Sequence, residues 1–365
     1  MLFRSVEEYD LKVKHKKGNA VQHMVYYSSV TNEYYCKDDE REVVSELIKK
    51  QGKEGTVNDW IDAYREEYNQ VYSKRLVELK EDELTHDIKY KALPMRMILE
   101  NKRDGRRKGR LVAIGYREPR EWDIGSNSSP VADLSSVRML LYSKGLDTDV
   151  VSSVDISVAF LQASPYEESA PKRYVSYKPH KHAKTRYYLL TGCLYGQRSA
   201  SKSFYNTLAT WLEKEGYKKC ENEPCMFINS KGFKVLSYVD DLICRGSKEE
   251  TDLFYRKLHA KFECKDESIL SNDNALAFLG FDIKCKEYDV NYNHDNGKYD
   301  YNFSTTTDGK VRVVTIDQCE AIQEFLINSQ VHPRKLINQP MSNYKELTSD
   351  DTLLEGAELN KFQSR

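Results

Sequence analysis

Apolar and polar positions are arranged differently before and after about residue 58. Residues 1–57 are mostly polar, and within them residues 39–50 favour a helix. Beyond them the apolar positions recur at helical spacing, as at Trp60, Tyr64 and Val71, which predicts an amphipathic helix. We therefore expect a loosely packed polar leader over 1–57, followed by a regularly folded region.

Two strand-like runs, residues 93–99 and 110–114, flank the dipeptide Asp104-Gly105. An Asp-Gly pair between apolar runs is typical of a tight β-hairpin turn. Cations crowd the tip of this hairpin, and they are Lys102, Arg103, Arg106, Arg107, Lys108 and Arg110. A protruding basic ribbon attracts phosphate groups, although a solvated charged face is the more common interpretation for Arg106 and Arg107.

The four residues Tyr238-Val239-Asp240-Asp241 lie between the apolar runs 233–236 and 242–244. This pattern predicts a β-hairpin whose bend holds two adjacent carboxylates. Two carboxylates about 4 Å apart repel each other by about 4 kcal/mol at an effective dielectric constant near 20. Since a fold keeps both ionised when a cation lies between them, Asp240 and Asp241 indicate a cation site.

A third carboxylate, Asp155, lies near the end of the β-rich run 150–156. If the hairpin lies beside this run, Asp155, Asp240 and Asp241 converge at one edge of a sheet. Three such carboxylates suit two divalent cations about 3.5–4 Å apart. Taken singly, each acid has an ordinary alternative, because Asp-Asp is common in turns and Asp155 is well placed to cap the helix that follows it.

The rest of the chain alternates between helical and strand patterns. We expect helices over residues 201–215, 248–262 and 316–329, and a strand over 277–283. Residues 286–309 are polar and rich in Asn, Asp, Tyr and Thr, which predicts either a disordered insert or an extended hairpin.

Composition narrows the class of protein. Of the 365 residues, 39% are hydrophobic and 31% are charged, which favours an open shape with a cleft. The net charge of −1 means that any contact with nucleic acid depends on local basic patches. The eight cysteines show no zinc-site spacing, so free thiols in a reducing compartment are expected. Without a signal peptide or a membrane-spanning run, we expect an intracellular soluble protein.

Six ordered segments resemble the reverse transcriptase domain of copia-type retrotransposons, from about residue 58 to the C-terminus. Residues 154–161 are similar to the segment of the family's first catalytic aspartate, and residues 238–241 match its catalytic hairpin. The other similar segments are residues 108–113, 129–131, 194–196 with 203–205, and 278–280.

The resemblance implies an α+β fold with right-hand polymerase architecture. It implies fingers over 58–150, a palm of antiparallel sheet and flanking helices over 151–285, the polar insert over 286–309, and a truncated start of the thumb or connection over 310–365. The implied activity is RNA-directed DNA polymerisation, a nucleotidyl transfer from dNTPs to a primer 3′-hydroxyl. The implied cofactors are two Mg²⁺ ions, with Mn²⁺ as a substitute, and the implied partners are an RNA template and a DNA or RNA primer.

The resemblance also implies roles for single residues. Catalysis and metal binding fall to Asp155, Asp240 and Asp241, with the backbone carbonyl of Ile156 as a further metal ligand. The implied nucleotide-binding residues are Lys108, Arg110, Ala159, Phe160 and Ser199. Phe160 would exclude the 2′-hydroxyl of a ribonucleotide, unless it is a plain core side chain. The implied nucleic-acid contacts are Lys102, Arg103, Arg106, Arg107 and Tyr238.

Three features depart from the family pattern. Ser199 stands where the family usually has a glutamine that touches the nucleotide, and Gln197 replaces it only if the local register shifts. The insert at 286–309 is unusual for the family. The chain also reaches its last residue where the family continues towards ribonuclease H, so we expect neither this domain nor an integrase or protease within residues 1–365.

Two main hypotheses follow. One is an active polymerase, a piece of a polyprotein located in the cytoplasm or in virus-like particles and away from membranes. The other is an inactive, decayed or co-opted relative that still binds nucleic acid. A purely structural or interaction protein ranks last, because it leaves the six segments unexplained.

Overall fold

The structure is a computed structural model. It describes the backbone of residues 7–14, 20–28, 33–102, 105–122, 127–142, 149–180, 183–289, 292–293, 298–299, 310–319 and 322–323. The chain divides into two compact units, Met1–Asp317 and Gln318–Arg365, and all the elements below belong to the first.

Helices and strands alternate along the first unit. The helices are α1 (Lys37–Lys50), α2 (Val57–Arg75), α3 (His86–Lys91), α4 (Leu134–Tyr142), α5 (Ala159–Gln162), α6 (Ala200–Lys214) and α7 (Lys248–Lys261). The first strands are β1 (Glu7–Lys14), β2 (Ala20–Ser28), β3 (Glu33–Cys36), β4 (Leu76–Glu78), β5 (Leu93–Asn101), β6 (Arg107–Ala113), β7 (Val150–Asp155), β8 (Arg173–Tyr177) and β9 (Arg186–Leu190). The later strands are β10 (Lys218–Lys219), β11 (Met226–Ile228), β12 (Lys234–Tyr238), β13 (Asp241–Gly246), β14 (Ser268–Ile269), β15 (Leu276–Phe278), β16 (Phe281–Asp289), β17 (Tyr292–Asn293), β18 (Lys298–Tyr299) and β19 (Lys310–Asp317).

The N-terminal half is organised around a five-stranded sheet of order β4-β9-β8-β5-β6. Helix α2 covers it and buries Trp60, Tyr64 and Val71, as the helical spacing predicts. Strand β6 approaches this helix closely because residue 109 is glycine, where a Cβ atom would lie 2.7 Å from the carbonyl oxygen of Ala63.

The predicted helix at 39–50 is present as α1, but the expectation of a loosely packed leader needs correction. Val43 and Val44 of α1 are buried in the same hydrophobic core as α2 and the five-stranded sheet. Strands β1, β2 and β3 form a three-stranded antiparallel sheet ahead of α1. At least the end of the leader is therefore part of the folded structure.

The second large sheet, called here the central sheet, has the order β10-β11-β12-β13-β7-β14. One face packs on α6 and α7 through residues such as Val154, Leu242 and Cys244. The other face packs on α4 and β15 through Val151 and Ile243. Because side chains alternate along a strand, the residues that share a face with Val151 and Ile243 include those at the ends of β7 and β13.

Two predictions for the C-terminal elements were wrong in detail. The run 277–283 is a tight hairpin of β15 and β16, because Leu279 and Gly280 adopt positive φ angles of 55° and 73°. The helix predicted over 316–329 starts too early, because β19 continues to Asp317 and pairs with β16; most of the predicted helix lies outside the described residues.

The structure favours the extended-hairpin interpretation of the polar insert where it is described. Strand β16 reaches Asp289 and pairs with β19 across the insert, and β17 pairs with β18 within it. Other parts of 286–309 lie outside the described residues. The described sheets and helices confirm the predicted α+β class.

None of the helices in the described ranges combines the length and apolar character that crossing a bilayer demands.

Candidate active site

The hairpin predicted at residues 238–241 is formed by β12 and β13. Tyr238 pairs with Asp241, so Val239 and Asp240 make a two-residue bend. Val239 has a φ of 55°, a left-handed conformation that costs an L-residue about 1–2 kcal/mol. Val158, shortly after Asp155, is similarly strained at a φ of 45°. Backbone strain of this kind persists where the surrounding fold enforces it, and it is common at functional sites.

The structure brings Asp155 and Asp241 directly opposite each other on adjacent antiparallel strands. The backbone N–H of Ile156 donates to the carbonyl oxygen of Asp240 at 2.8 Å, which makes the Asp155–Asp241 pair a narrow, non-hydrogen-bonded one. Side chains in such pairs have Cβ atoms about 4.5–5.5 Å apart, and like charges there are destabilising. Asp240 sits beside them in the bend, so the three predicted acids meet at one end of the central sheet.

Burial and repulsion raise the pKa values of two of these carboxyl groups, those of Asp240 and Asp241. Burial is the main reason why the pKa of Asp241 rises to about 6, and the charges of Asp240 and Asp155 add to it. Burial also raises the pKa of Asp240, and the charge of Asp155 acts in the same direction. The backbone N–H of Asp240 itself and the charges of Arg110 and Lys265 oppose this rise. A cluster of acids with raised pKa values in an open site is typical of a functional centre.

A lysine that the sequence did not single out completes the cluster. Nζ of Lys265 donates to Oδ2 of Asp155 at 2.8 Å, and its backbone N–H donates to the Asp155 carbonyl at 3.0 Å. A cavity of about 170 Å³ opens here, lined in part by Asp155, Asp241, Lys265 and Phe278. Lys265 lies in a short connection after α7 with no periodic pattern, so only the tertiary structure places it at the site.

The donor chemistry of the three acids fits a hard divalent cation, since Mg²⁺ and Mn²⁺ prefer carboxylate and carbonyl oxygens. Within the described ranges, however, no three His, Cys, Asp or Glu side chains are already gathered closely enough to hold a metal ion. Metal binding to Asp155, Asp240 and Asp241 therefore requires their side chains to turn towards a common point.

Arg110 and Phe160 both contact the ring of Tyr195. The Arg110 guanidinium lies 5.4 Å from the centroid of the Tyr195 ring, and the Phe160 ring lies 5.3 Å from it. Nε of Arg110 donates to Glu100 at 3.0 Å. Burial is the main reason why the pKa of Tyr195 is raised, and the charges of Glu67, Asp240 and Asp155 act in the same direction. Tyr195 has no predicted role beyond its place in the segment 194–196.

Glycine 196 holds Tyr195 in this position. The backbone N–H of Ala113, at the end of β6, donates to the Tyr195 carbonyl at 2.7 Å. Gly196 has a φ of 85°, and a Cβ atom there would lie 2.2 Å from the Ala113 carbonyl oxygen. Only glycine fits this close approach between the segment 194–196 and β6.

The cations of the basic hairpin tip lie in different surroundings. Burial is the main reason why the pKa of Lys102 is lowered, and the next contributions come from Lys108 and Lys265, while Asp155 opposes them. Arg107 instead lies over the Trp60 ring at 4.7 Å and donates to Asn101. Arg106 is exposed, Lys108 is half-buried opposite Glu100, and Arg103 lies outside the described residues.

The other predicted site residues have structural contacts. Ala159 and Ile156 are buried in the core beneath the acids, Tyr238 is half-buried, and Phe160 also packs partly against this core. The hydroxyl oxygen of Ser199 is buried and has no hydrogen-bond partner among the described residues.

Gln197 is engaged within the protein. Its amide oxygen accepts from the Leu194 backbone at 2.8 Å and from the Tyr166 hydroxyl at 3.1 Å, and its amide nitrogen donates to Glu118 at 3.2 Å. The side chain is buried, so in this structure Gln197 does not replace the glutamine missing at Ser199.

Comparison with known proteins identifies the class. Residues 78–294, more than half of the chain, match the family described as reverse transcriptase (RNA-dependent DNA polymerase). The chain therefore belongs to the reverse transcriptase family. Membership of this family agrees with the right-hand polymerase architecture that the sequence predicts.

Within the family, its relatives are retrotransposon polyproteins. It is 27% identical over 233 residues to the retrovirus-related Pol polyprotein from transposon TNT 1-94 of Nicotiana tabacum, covering 59% of this chain and 16% of that one. It is 29% identical over 188 residues to the corresponding polyprotein from transposon RE2 of Arabidopsis thaliana, covering 49% of this chain and 12% of that one. These matches confirm the copia-type prediction, and the chain spans only a small part of either relative.

Among solved structures, a telomerase from Candida albicans in complex with a fragment of telomeric RNA is similar at a TM-score of 0.38 and 10% identity, covering 75% of this chain and 52% of that one. A telomerase from Candida tropicalis gives a TM-score of 0.37 at 12% identity, covering 76% of this chain and 55% of that one. Neither likeness is close enough to inform the site.

Proposed function

We propose that this chain is the RNA-directed DNA polymerase region of a copia-type retrotransposon polyprotein. It extends a DNA or RNA primer on an RNA template, using dNTPs, in the cytoplasm or within virus-like particles. Its partners are the ribonuclease H, integrase and protease domains of the same polyprotein. The observation that carries the proposal is the pairing of Asp155 with Asp241, with Asp240 beside them and Arg110 nearby.

Asp155, Asp240 and Asp241, with the backbone carbonyl of Ile156, hold two Mg²⁺ ions in this proposal, and Mn²⁺ can replace them. When bound, the ions favour ionisation of the primer 3′-hydroxyl and neutralise the charge of the triphosphate. The three acids are well suited to this role because their own repulsion favours a cation between them.

The protein's remaining contribution is positioning and charge. Arg110 and Lys108 bind the triphosphate, and Glu100 and the Tyr195 ring orient the Arg110 guanidinium. Lys102, Arg103, Arg106 and Arg107 attract the template and primer phosphates, and Tyr238 supports the primer end. In domain terms, residues 58–150 act as fingers, 151–285 as palm, and 310–365 as the start of the thumb.

Phe160 selects deoxynucleotides in this proposal, with the backbone of Ala159 and Ser199 completing the pocket. Its ring is supported by Tyr195 and stands at the start of the short helix α5, five residues after Asp155. A bulky ring beneath the sugar leaves no space for a 2′-hydroxyl.

The substitution Phe160→Ala is expected to raise ribonucleotide incorporation relative to dNTP incorporation by about tenfold or more. Steady-state kinetics with single dNTPs and rNTPs measure the ratio of kcat/KM values. Phe160→Tyr, which keeps the ring, serves as the matched control and should preserve discrimination. Equal discrimination by wild type and Phe160→Ala contradicts the role of this side chain.

Primer extension tests the whole proposal. Purified wild type should extend a DNA primer on an RNA template with dNTPs and Mg²⁺, and a chelator should stop it. Asp240→Asn should abolish extension, whereas Asp252→Asn, an exposed acid of α7 paired with Lys248, should not. Extension that survives Asp240→Asn contradicts the proposed site.

One observation favours a second candidate, a relative that binds nucleic acid without polymerising. The nucleotide-contacting glutamine is absent at Ser199, and Gln197 is committed to Leu194 and Glu118. Folded wild type that binds primer–template but fails to extend it, with either Mg²⁺ or Mn²⁺, supports this candidate and overturns the first.

A further inference from the structure

Lys265 is fixed next to Asp155 by its backbone as well as by its side chain. Besides the two contacts with Asp155, the preceding residues form a short antiparallel bridge, in which Ile156 pairs with Cys264. The backbone N–H of Ser157 donates to the Glu263 carbonyl at 2.9 Å. The backbone pairing therefore places the Lys265 side chain next to Asp155.

The charge of Lys265 acts on all three acids. It bonds to Asp155, and it opposes the rise in the pKa of both Asp240 and Asp241. The Lys265 side chain is 52% exposed and that of Asp155 is 36% exposed, so water and ions reach the pair. Lys265 is thus a monovalent counter-ion built into the acidic cluster.

We propose that Lys265 competes with divalent cations for the carboxylate of Asp155 and thereby sets the metal affinity of the acidic cluster. The inference rests on the proposed function, since it takes Asp155 as a metal ligand. A metal ion at this carboxylate competes for its lone pairs with the ammonium 2.8 Å away, and the two positive charges repel each other. Because ion pairs this exposed are weak, the ammonium tunes metal binding rather than preventing it.

Removing the charge should therefore tighten metal binding. The variant Lys265→Met, which keeps the length and most of the apolar stem, is expected to lower the dissociation constant for Mn²⁺ about three- to fivefold. Lys265→Arg, which keeps the charge, should stay within about twofold of wild type. Lys257→Met is the matched control, because Lys257, on α7, forms a similarly short ion pair with Glu215, at 2.7 Å.

Mn²⁺ alone is the probe, titrated into each purified full chain and followed by electron paramagnetic resonance or calorimetry. Neither nucleotide nor polymerase activity is needed. Circular dichroism confirms that each variant is folded, and Lys265→Gln provides a second neutral variant.

The Asp155→Asn variant separates the possible failures. If Asp155→Asn weakens Mn²⁺ binding while both neutral Lys265 variants bind as wild type does, or more weakly, the inference is overturned and the proposed metal site stands. If Asp155→Asn binds Mn²⁺ as tightly as wild type does, or if neither binds it, the proposed metal site is wrong, and the inference fails with it.

Discussion

Replacement of Arg245 by methionine is expected to lower the free energy of unfolding by about 3–5 kcal/mol, enough to unfold many domains of this size. Arg245 lies on β13 with a side chain that is completely buried. Its Nε donates to Asp149 at 3.0 Å, and its Nη1 donates to the carbonyl oxygens of Leu140 and Leu141 at 2.8 and 3.0 Å. Methionine would leave one carboxylate and two helix-terminal carbonyls without this donor.

Urea or thermal unfolding of the full chain measures the loss. Arg256→Met, at an exposed position of α7, is the control and should change the unfolding free energy by less than about 0.5 kcal/mol. A double-mutant cycle with Asp149→Asn separates the ion pair from the contacts with the end of α4. A loss below about 1 kcal/mol for Arg245→Met would show that the buried guanidinium is not what joins α4 to the sheet.

The position of Arg245 also matters for the site. It shares strand β13 with Asp241, and it is paired with Val151 on β7, the strand that ends in Asp155. The two strands that carry the paired acids are thus fastened to α4 at their far ends.

The parts of the site that depend on local signals could be predicted from the sequence. The apolar runs around Asp240-Asp241 and before Asp155 are each typical of a β-strand. In the structure these strands pair as predicted. The amphipathic helices at 201–215 and 248–262 were also predicted, within a residue or two at each end. Local periodicity and turn chemistry suffice for such elements.

Contacts between distant segments could not be predicted. Lys265 reaches Asp155 across 110 positions of the chain, and no pattern in its own segment marks it. The hydrogen bond from Gln197 to Glu118 is likewise a tertiary contact, between residues 79 positions apart in the chain. Sequence position alone left open whether Gln197 lines the nucleotide pocket. In the structure its side chain is buried and does not take this role.

Two errors arose from competing local signals. The apolar run 277–283 looked like one strand, but Leu279-Gly280 forms a turn with two positive φ angles, a conformation for which glycine is the natural residue. Around Ile316, the helical interpretation ignored the β-branched residues of Lys310–Asp317, which favour the strand that pairs with β16. In both places the sequence held the signal that was given too little weight.

The substitution Asp241→Asn is expected to have opposite effects on activity and stability. Primer extension should fall by at least about a thousandfold, because the proposed metal site loses a charged ligand. In the presence of a chelator and at pH 7.5, the free energy of unfolding should rise by about 1–2 kcal/mol, after allowance for solvent screening. The gain arises because asparagine removes the charge of a half-buried carboxylate that also directly faces Asp155 and adjoins Asp240.

The pH dependence of stability identifies Asp241 as the source of this gain. Its pKa is about 6 in the folded protein, above the ordinary value of 3.8, so the folded state binds the proton more tightly than the unfolded state does. This contribution is fully present below about pH 4 and is lost as the pH rises through about 6. Unfolding curves between pH 4 and 7.5 should therefore show a smaller loss of stability for Asp241→Asn than for wild type. Asp252→Asn should follow wild type, and an Asp241→Asn curve parallel to wild type would mean that burial and repulsion among the acids do not raise the pKa of Asp241 in the folded protein.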